Sequence, residues 1–596
     1  MRPPHRSLPR LSLLLAAVLC LALALPLAAD QFPRQPGIKI LHYAFAVSVS
    51  DASNALTVRD TVELRFLESG VRSITLNLCN LRTQPQTPDR LNPCLQQPSR
   101  ARRRGGAPAP VLTSVGYGMA VTAVDGADGQ SLTYTHRNDR LQVQFPSPAV
   151  AGQTFTFTVD YHGVPATGLY IGKNRYGDRV WFTDNWPNRA RNWLATIDHI
   201  SVKATKTISV TAPSQYHVIS NGKLTQVLDL PGGLRRTTWT ETLPIPSWQY
   251  SLGIGRMAVE YFGASHGVPF SAWVYPQDVN SPDVRNLEDN TRSIFDFYSS
   301  HIGPYIYEKL AQVEAAGSAG ATEPATTIFY YGGHYGSEAH EMAHHWFGDS
   351  VTESDWDDVW LSEGFATYCN LLYTEFHSGH DAFITGVKRT AAMARRYELA
   401  HPNDTVVHNN LRTASNVFNN STQIYQGGAM VLHMLRGVLG TQNFWAGLRL
   451  YYRRYKDSSA TSLDFQHAME DACAASGQCP AHDRDLTWFF QEWLHRGGIM
   501  QLHGTWRYDA AAHTLHVTLN ETQPQGVYRM PLQIGITTPA PANRFRFARG
   551  PQTSTVWLNA RDNTFSLPSA QAPTSVVLDP NTWLPMMQAS FQPTGQ

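Results

Sequence analysis

Two histidines four residues apart, with a glutamate beside the first, stand in the run from Ser337 to Tyr368, SEAHEMAHHWFGDSVTESDWDDVWLSEGFATY. Residues i and i+4 share one face of a helix. His340 and His344 can therefore turn two imidazoles toward one metal ion, and Glu341, one step round, can reach a water at that ion. Catalytic zinc usually takes three protein ligands and keeps one position open. Glu363, nineteen residues after His344, stands in Trp360-Leu361-Ser362-Glu363-Gly364-Phe365-Ala366, which reads as the start of a second helix. Laid against the first helix, it would complete a His2Glu site for one zinc ion per chain, a hydrolytic type. H-E-x-x-H alone would also suit a solvated or core histidine pair; Glu363 in its own aromatic-flanked helix favours the metal. His345 faces away from the pair and reads as structural. Asp349 and Asp358 fit two descriptions, partners of the zinc histidines or helix-terminal or surface acids.

The elements that must hold these groups follow from periodicity. Met342, Ala343, Trp346 and Phe347 give the first helix a face to bury, and Gly348 is its expected stop. From Leu41 to about Gly255 apolar residues alternate, as in Tyr43, Phe45, Val47, Val49 and in Val58, Val62, Leu64, Phe66. Period two with Gly, Pro, Asn and Asp turns indicates a large antiparallel β domain, residues 30–255. Residues 256–500 read as an α+β to mainly helical domain around the metal, with helices expected at Val284–His301, Ala382–Tyr397, Tyr425–Leu439, Ser462–Ala475 and Asp485–Arg496. Alternation returns in residues 501–596, which fit a small β-sandwich. A chain of 596 residues is too long for one core, so several domains are required. Its net charge of +1 and 42% hydrophobic content give no nucleic-acid bias. The basic stretch Pro98–Pro110 reads as a solvated insertion.

The first thirty residues have a separate purpose. Arg2, His5, Arg6 and Arg10 precede an apolar run from Leu11 to Leu25, and Ala28-Ala29-Asp30 follows. This is the pattern of a secretory signal peptide, residues 1–29, cut near Ala29. No other stretch is long and apolar enough to span a bilayer. The expected protein is therefore exported, periplasmic or secreted, with no stable membrane insertion after cleavage. In an oxidising compartment near neighbours pair, giving Cys79–Cys94 and Cys473–Cys479 and leaving Cys369 free and buried. Oligomeric state is not written in the sequence.

H-E-x-x-H, eighteen residues, then Glu, flanked by HHWFGDSV and WLSEGFATY, resembles the zinc aminopeptidases of peptidase family M1, the aminopeptidase N type. The resemblance covers most of the mature chain. It implies His340, His344 and Glu363 as zinc ligands and Glu341 as general base. It also implies Tyr425, in Tyr425-Gln426-Gly427-Gly428-Ala429, as the tyrosine that stabilises the transition state. Gly320-Ala321-Thr322-Glu323-Pro324 stands where the family carries Gly-x-Met-Glu-Asn, which makes Gly320, Ala321 and Glu323 substrate-binding, with Glu323 on the substrate's ammonium. Ala190-Arg191-Asn192-Trp193, Asp198-His199 and Lys203-Ala204-Thr205 resemble the signature of the family's N-terminal β domain. The implied architecture is multidomain α+β: that β domain, a thermolysin-like zinc catalytic domain and a small C-terminal β-sandwich, a short form without the family's C-terminal helical domain. The implied activity is hydrolysis of the N-terminal peptide bond of peptides with a free N-terminus, by a metal-activated water with Glu341 as base. The alternatives are a zinc endopeptidase or other hydrolase of the same fold, or a catalytically impaired peptide-binding homologue. The chain departs from the family's pattern at Thr322 and Pro324, at Asp184 and Trp186 in Thr183-Asp184-Asn185-Trp186-Pro187, where Gln or Glu is usual, and at Asp198-His199-Ile200, which lacks a common proline.

Overall fold

In strand β2 (Leu56–Phe66) the inward positions Leu56, Val58, Val62, Leu64 and Phe66 are all buried, as a half-buried strand requires. A computed structural model describes residues 30, 32, 34–87, 89, 92–95, 115–318, 320–333, 335–411, 413–479, 484–539 and 552–594. The proposed leader and the Pro98–Pro110 stretch lie outside the described residues. β2 belongs to a seven-stranded sheet with β1 (Ile38–Ser48), β3 (Gly118–Gly126), β4 (Thr154–Val164), β5 (Lys203–Pro213), β6 (Lys223–Leu230) and β7 (Leu234–Pro246), in the order β6-β7-β5-β1-β2-β4-β3. The sheet is not wholly antiparallel, as alternation had suggested. β1 and β5 run parallel, with His42 opposite Thr205 and Ser48 opposite Thr211. Period-two patterning fixes which face is buried but not strand direction, and over 150 residues of chain separate the two strands, so no hairpin constrains them.

Asp60 interrupts the apolar face of β2. It is 0% exposed, and neither carboxylate oxygen has a hydrogen-bond partner. Burial pushes its carboxyl well above the ordinary range. The native state therefore keeps a proton that the unfolded chain releases above about pH 4, and stability falls as pH rises. Asp60→Asn should remove that slope. Denaturant unfolding should find the variant more stable at pH 8 by about 1–3 kcal/mol, with the gap closing at low pH. A pH-independent difference would contradict this account of Asp60.

The region that carries His340, His344 and Glu363 begins on a five-stranded mixed sheet: β8 (Ala258–Ser265), β9 (Val268–Val274), β10 (Leu310–Ala315), β11 (Gly320–Thr322) and β12 (Thr327–Tyr331), in the order β8-β9-β10-β12-β11. Val313, Phe329 and Tyr331 of this sheet share a core with Tyr43, Val58, Trp181 and Trp193, so the two regions are built on continuous apolar packing. Lys203 adds a polar tie, its ammonium donating to the carbonyls of Asp349, Ser350 and Ser458 at 3.3, 3.2 and 2.7 Å. The helices are α1 (Pro282–His301), α2 (Glu338–His344), α3 (Trp360–Ser378), α4 (His380–Ala400), α5 (Gly428–Leu439), α6 (Thr441–Tyr455), α7 (Ser462–Ala475) and α8 (Thr487–Trp493). α2 ends at His344, short of the expected Gly348, and α8 is shorter at both ends than expected. The helix expected from Tyr425 is instead preceded by a π-helical turn, Gln423–Gly427, which contains Tyr425.

Among the described residues, seven further strands run from Met500 onward, in a four-stranded and a three-stranded sheet whose inward residues, among them Leu515, Val517, Leu532 and Ile534, join the core of the helical region. His433 of α5 reaches the carbonyl of Thr582 at 2.7 Å and stacks on Trp583, fastening this segment to the helices. Disulfides join Cys79 to Cys94 and Cys473 to Cys479, and Cys369 is a buried free thiol. No helix among the described residues is long and apolar enough to cross a membrane.

Candidate active site

Helix α2 puts His340 and His344 one turn apart with Nε2 atoms 3.2 Å from each other. Helix α3 presents Glu363 from its first turn, and Glu363 Oε2 lies 3.3 Å from each of those nitrogens. That oxygen is buried and accepts no hydrogen bond. Tetrahedral zinc with bonds of about 2.0–2.1 Å spaces its ligand atoms about 3.3 Å apart, so the three donor atoms have the separation the ion demands. The donor set, two imidazoles and a carboxylate, also suits zinc. Although burial raises it, His344 and His340 hold the Glu363 carboxyl well below its ordinary value, so it is an anion ready to bind a cation.

What orients His344 could not be read from spacing. Its Nδ1 lies 3.3 Å from the carbonyl of Phe347 and 3.0 Å from Ser362 Oγ. A carbonyl only accepts, so Nδ1 carries the proton and Nε2 keeps its lone pair for a metal. Gly348, at φ +128°, makes the approach feasible: a Cβ there would stand 2.5 Å from Ser362 Oγ and 3.0 Å from His344 Nδ1. Neither the Asp349 nor the Asp358 side chain bonds to His340 or His344. Asp349 Oδ2 is 3.9 Å from Nε2 of His345, whose Nδ1 is 2.9 Å from the Tyr305 hydroxyl. Asp358 accepts from the backbone and hydroxyl of Ser462, binding the start of α3 to α7. Ser362 beside Glu363 is therefore the residue placed to orient His344 that the sequence reading missed; its place directly before a candidate ligand was the available signal. Ser362→Ala should weaken zinc retention by about 10–100-fold in competition with a chelator, with the fold intact by circular dichroism. Unchanged retention would remove Ser362 from that role.

Glu341 points from α2 into the same space. Carboxylate oxygens of Glu341 and Glu323 and a ring nitrogen of His344 all lie within 4.8 Å of one another. Glu323 follows β11, the edge strand formed by Gly320, Ala321 and Thr322. Burial, then Glu341 and Glu363, pushes Glu323 up to about 8, against the pull of His344. Tyr425 approaches from the far side: its hydroxyl donates to Glu363 Oε1 at 2.5 Å, and its ring stacks on His340 with centroids 6.0 Å apart. It reaches there because α3 and α5 touch at Gly364 and Gly428. A Cβ on Gly364 would be 3.0 Å from the Gly428 Cα.

Asp184 is taken up by Arg189, which pairs with it directly, so its charge is already balanced within the chain. Trp186 packs edge-on against Trp356 and Phe418. Neither presents an unpaired charge to a ligand.

Two family models match this chain: the Peptidase M1 N-terminal domain over residues 119–249 and the Peptidase family M1 domain over residues 338–493, which includes all three donor residues. The chain is 26% identical over 327 residues to aminopeptidase A of Gloydius brevicauda, a match covering 50% of this chain and 33% of that protein. It is 24% identical over 314 residues to glutamyl aminopeptidase of Homo sapiens, covering 49% and 32%. With probable aminopeptidase 2 of Sulfurisphaera tokodaii the identity is 27% over 299 residues, covering 47% and 38%. The matched region thus spans about a third of the length of these relatives.

Proposed function

The chain belongs to peptidase family M1, and from that premise we propose that it is a zinc aminopeptidase acting on peptides with a free N-terminus. The observation that carries the reading is the buried carboxylate of Glu323 beside Glu341, His344 and Glu363, a place where a cationic ligand group is stabilised. His340, His344 and Glu363 would hold one zinc ion, which when bound would polarise a peptide carbonyl and lower the pKa of a water toward about 7. Glu341 takes the proton of the attacking water and hands it to the leaving amine. Tyr425 donates a hydrogen bond to the charge growing on the carbonyl oxygen. Glu323 pairs with the substrate ammonium, so that the first peptide bond, and no later one, lies over the reacting groups. The edge strand of Gly320 to Thr322 offers backbone groups along which a peptide can lie.

The leader-like segment and the two disulfides support placement outside the cytoplasm, in a periplasm or a secreted fraction. The deciding experiment is hydrolysis of one peptide with its amine free and the same peptide N-acetylated, over a panel of first residues. The aminopeptidase reading expects the free form alone to be cleaved. Equal cleavage of both would favour an endopeptidase, and cleavage of neither by zinc-loaded protein would favour an impaired peptide-binding homologue.

A further inference from the structure

Asp30 follows directly on the leader-like segment and yet is buried, its side chain fully covered. Its carboxylate accepts from the Trp356 backbone at 3.0 Å and lies 3.1 Å from His199 Nε2 and 3.2 Å from the Arg34 guanidinium. Its backbone nitrogen donates to Asp355 Oδ2 at 3.1 Å. The other oxygen of Asp355 accepts from the Asp357 backbone at 2.7 Å and so caps the turn Trp356–Asp358, from which α3 and Glu363 follow. Asp357 in turn accepts from the backbones of Asn410 and Leu411.

Among the described residues the charges here do not balance. Asp30, Asp355 and Asp357 lie together. Arg34, which is 3.2 Å from Asp30 and 3.9 Å from Asp355 with its side chain 36% exposed, is the guanidinium that faces them, and His199 is the other basic neighbour. Burial, then the nearby Asp30 carboxylate, pushes the Asp355 carboxyl up, against the backbone donors and Arg34. Asp355 is largely covered, bound to two backbone N–H groups and 3.9 Å from a guanidinium that already pairs with Asp30, so it lacks the full charge that would offset its desolvation.

We propose that the α-ammonium created at Asp30 by hydrolysis of the Ala29–Asp30 bond is the cation that Asp355 is placed to receive. A leader-removing endopeptidase adds one water across that bond, leaving a carboxylate on Ala29 and an amine on Asp30. With an α-amine pKa of about 7.7–8.0, that amine takes up a proton at neutral pH. One N–H donor becomes three, and a dipole becomes a unit charge, without any other atom of the site having to change partner. Removal of the leader thereby completes the turn that launches the helix of Glu363. The mature N-terminus is part of the framework of the metal site, whatever substrate that site takes.

The test uses the full chain as exported. Its first residue is read by intact mass and N-terminal sequencing, and its α-amine is acylated near pH 7 with an N-hydroxysuccinimide ester, followed in the N-terminal peptide. The proposal expects Asp30 as the first residue and acylation at least about tenfold slower in the native protein than in urea, equivalent to one pK unit of protection. Asp355→Asn keeps an oxygen for the Asp357 N–H and loses only the charge; its native acylation should approach the rate of the unfolded chain. A first residue other than Asp30, equal native and unfolded rates in the parent protein, or protection undiminished in Asp355→Asn would each overturn the proposal. Should the variant not fold, the native-to-urea ratio of the parent decides.

Discussion

Glu341→Gln should retain zinc at one ion per chain and lose turnover by a factor of about a thousand or more. Glutamine has nearly the shape of glutamate, so α2 and the positions of His340 and His344 should persist. Glu341 is not among His340, His344 and Glu363, whose donor atoms stand 3.2–3.3 Å apart as candidate ligands. What is lost is a carboxylate able to accept a proton, and general-base contributions run at about 10²–10⁴-fold. The residue is 6% exposed, so bulk water has little room to substitute as base. Zinc by plasma emission and kcat on an aminoacyl-coumarin separate the outcomes. Loss of zinc along with activity would mean that Glu341 supports the metal. Activity within tenfold of the parent protein would mean that another group takes the proton, and Glu323, within 4.8 Å, would be the first to test.

How much of this site the sequence disclosed depends on the range of each constraint. His340, Glu341 and His344 were legible because the helix repeat alone fixes their relation. Glu363 was legible at longer range because its own helix begins beside it, and a carboxylate in the first turn of such a helix can reach back across a helix pair. Glu323 and Tyr425 came through family resemblance alone, since no local period links residues 323 and 425 to α2. Ser362 was hidden because its action on His344 rests on the Gly348 turn, whose φ of +128° has no strong signature beyond the glycine itself. The parallel pairing of β1 with β5 was hidden for a like reason: alternation records burial, and strand direction is a property of the whole sheet. Asp60 is the reverse case. The break in the pattern of β2 was visible, but that its carboxylate lacks partners needed the structure.

Tyr425→Phe should lower kcat by about a hundred-fold while leaving zinc content and KM little changed. The π-helical turn Gln423–Gly427 carries the tyrosine, and such turns inside helices often mark functional sites. The turn is held from behind: Gln423 donates to Glu398, which also accepts from the Gly498 backbone at 2.6 Å. Burial, then Glu363, pushes the phenol well above its ordinary value, so it stays a protonated donor across neutral pH. In the resting site that proton is directed at Glu363 Oε1, the carboxylate oxygen farther from the imidazoles' shared position, while Oε2 faces the histidines. A peptide carbonyl gaining charge in the same space competes for the donor only as the reaction proceeds, so the bond acts on kcat more than on binding. Losing one such donor costs about 2.7–4 kcal/mol of barrier, which sets the hundred-fold scale. Phenylalanine leaves the ring on His340 and removes only the hydroxyl, so a structural role would show little change. If the variant instead sheds zinc while its residual metal-loaded fraction turns over normally, the phenol serves Glu363 and not the substrate, and the donor to the developing charge must be sought elsewhere around β11.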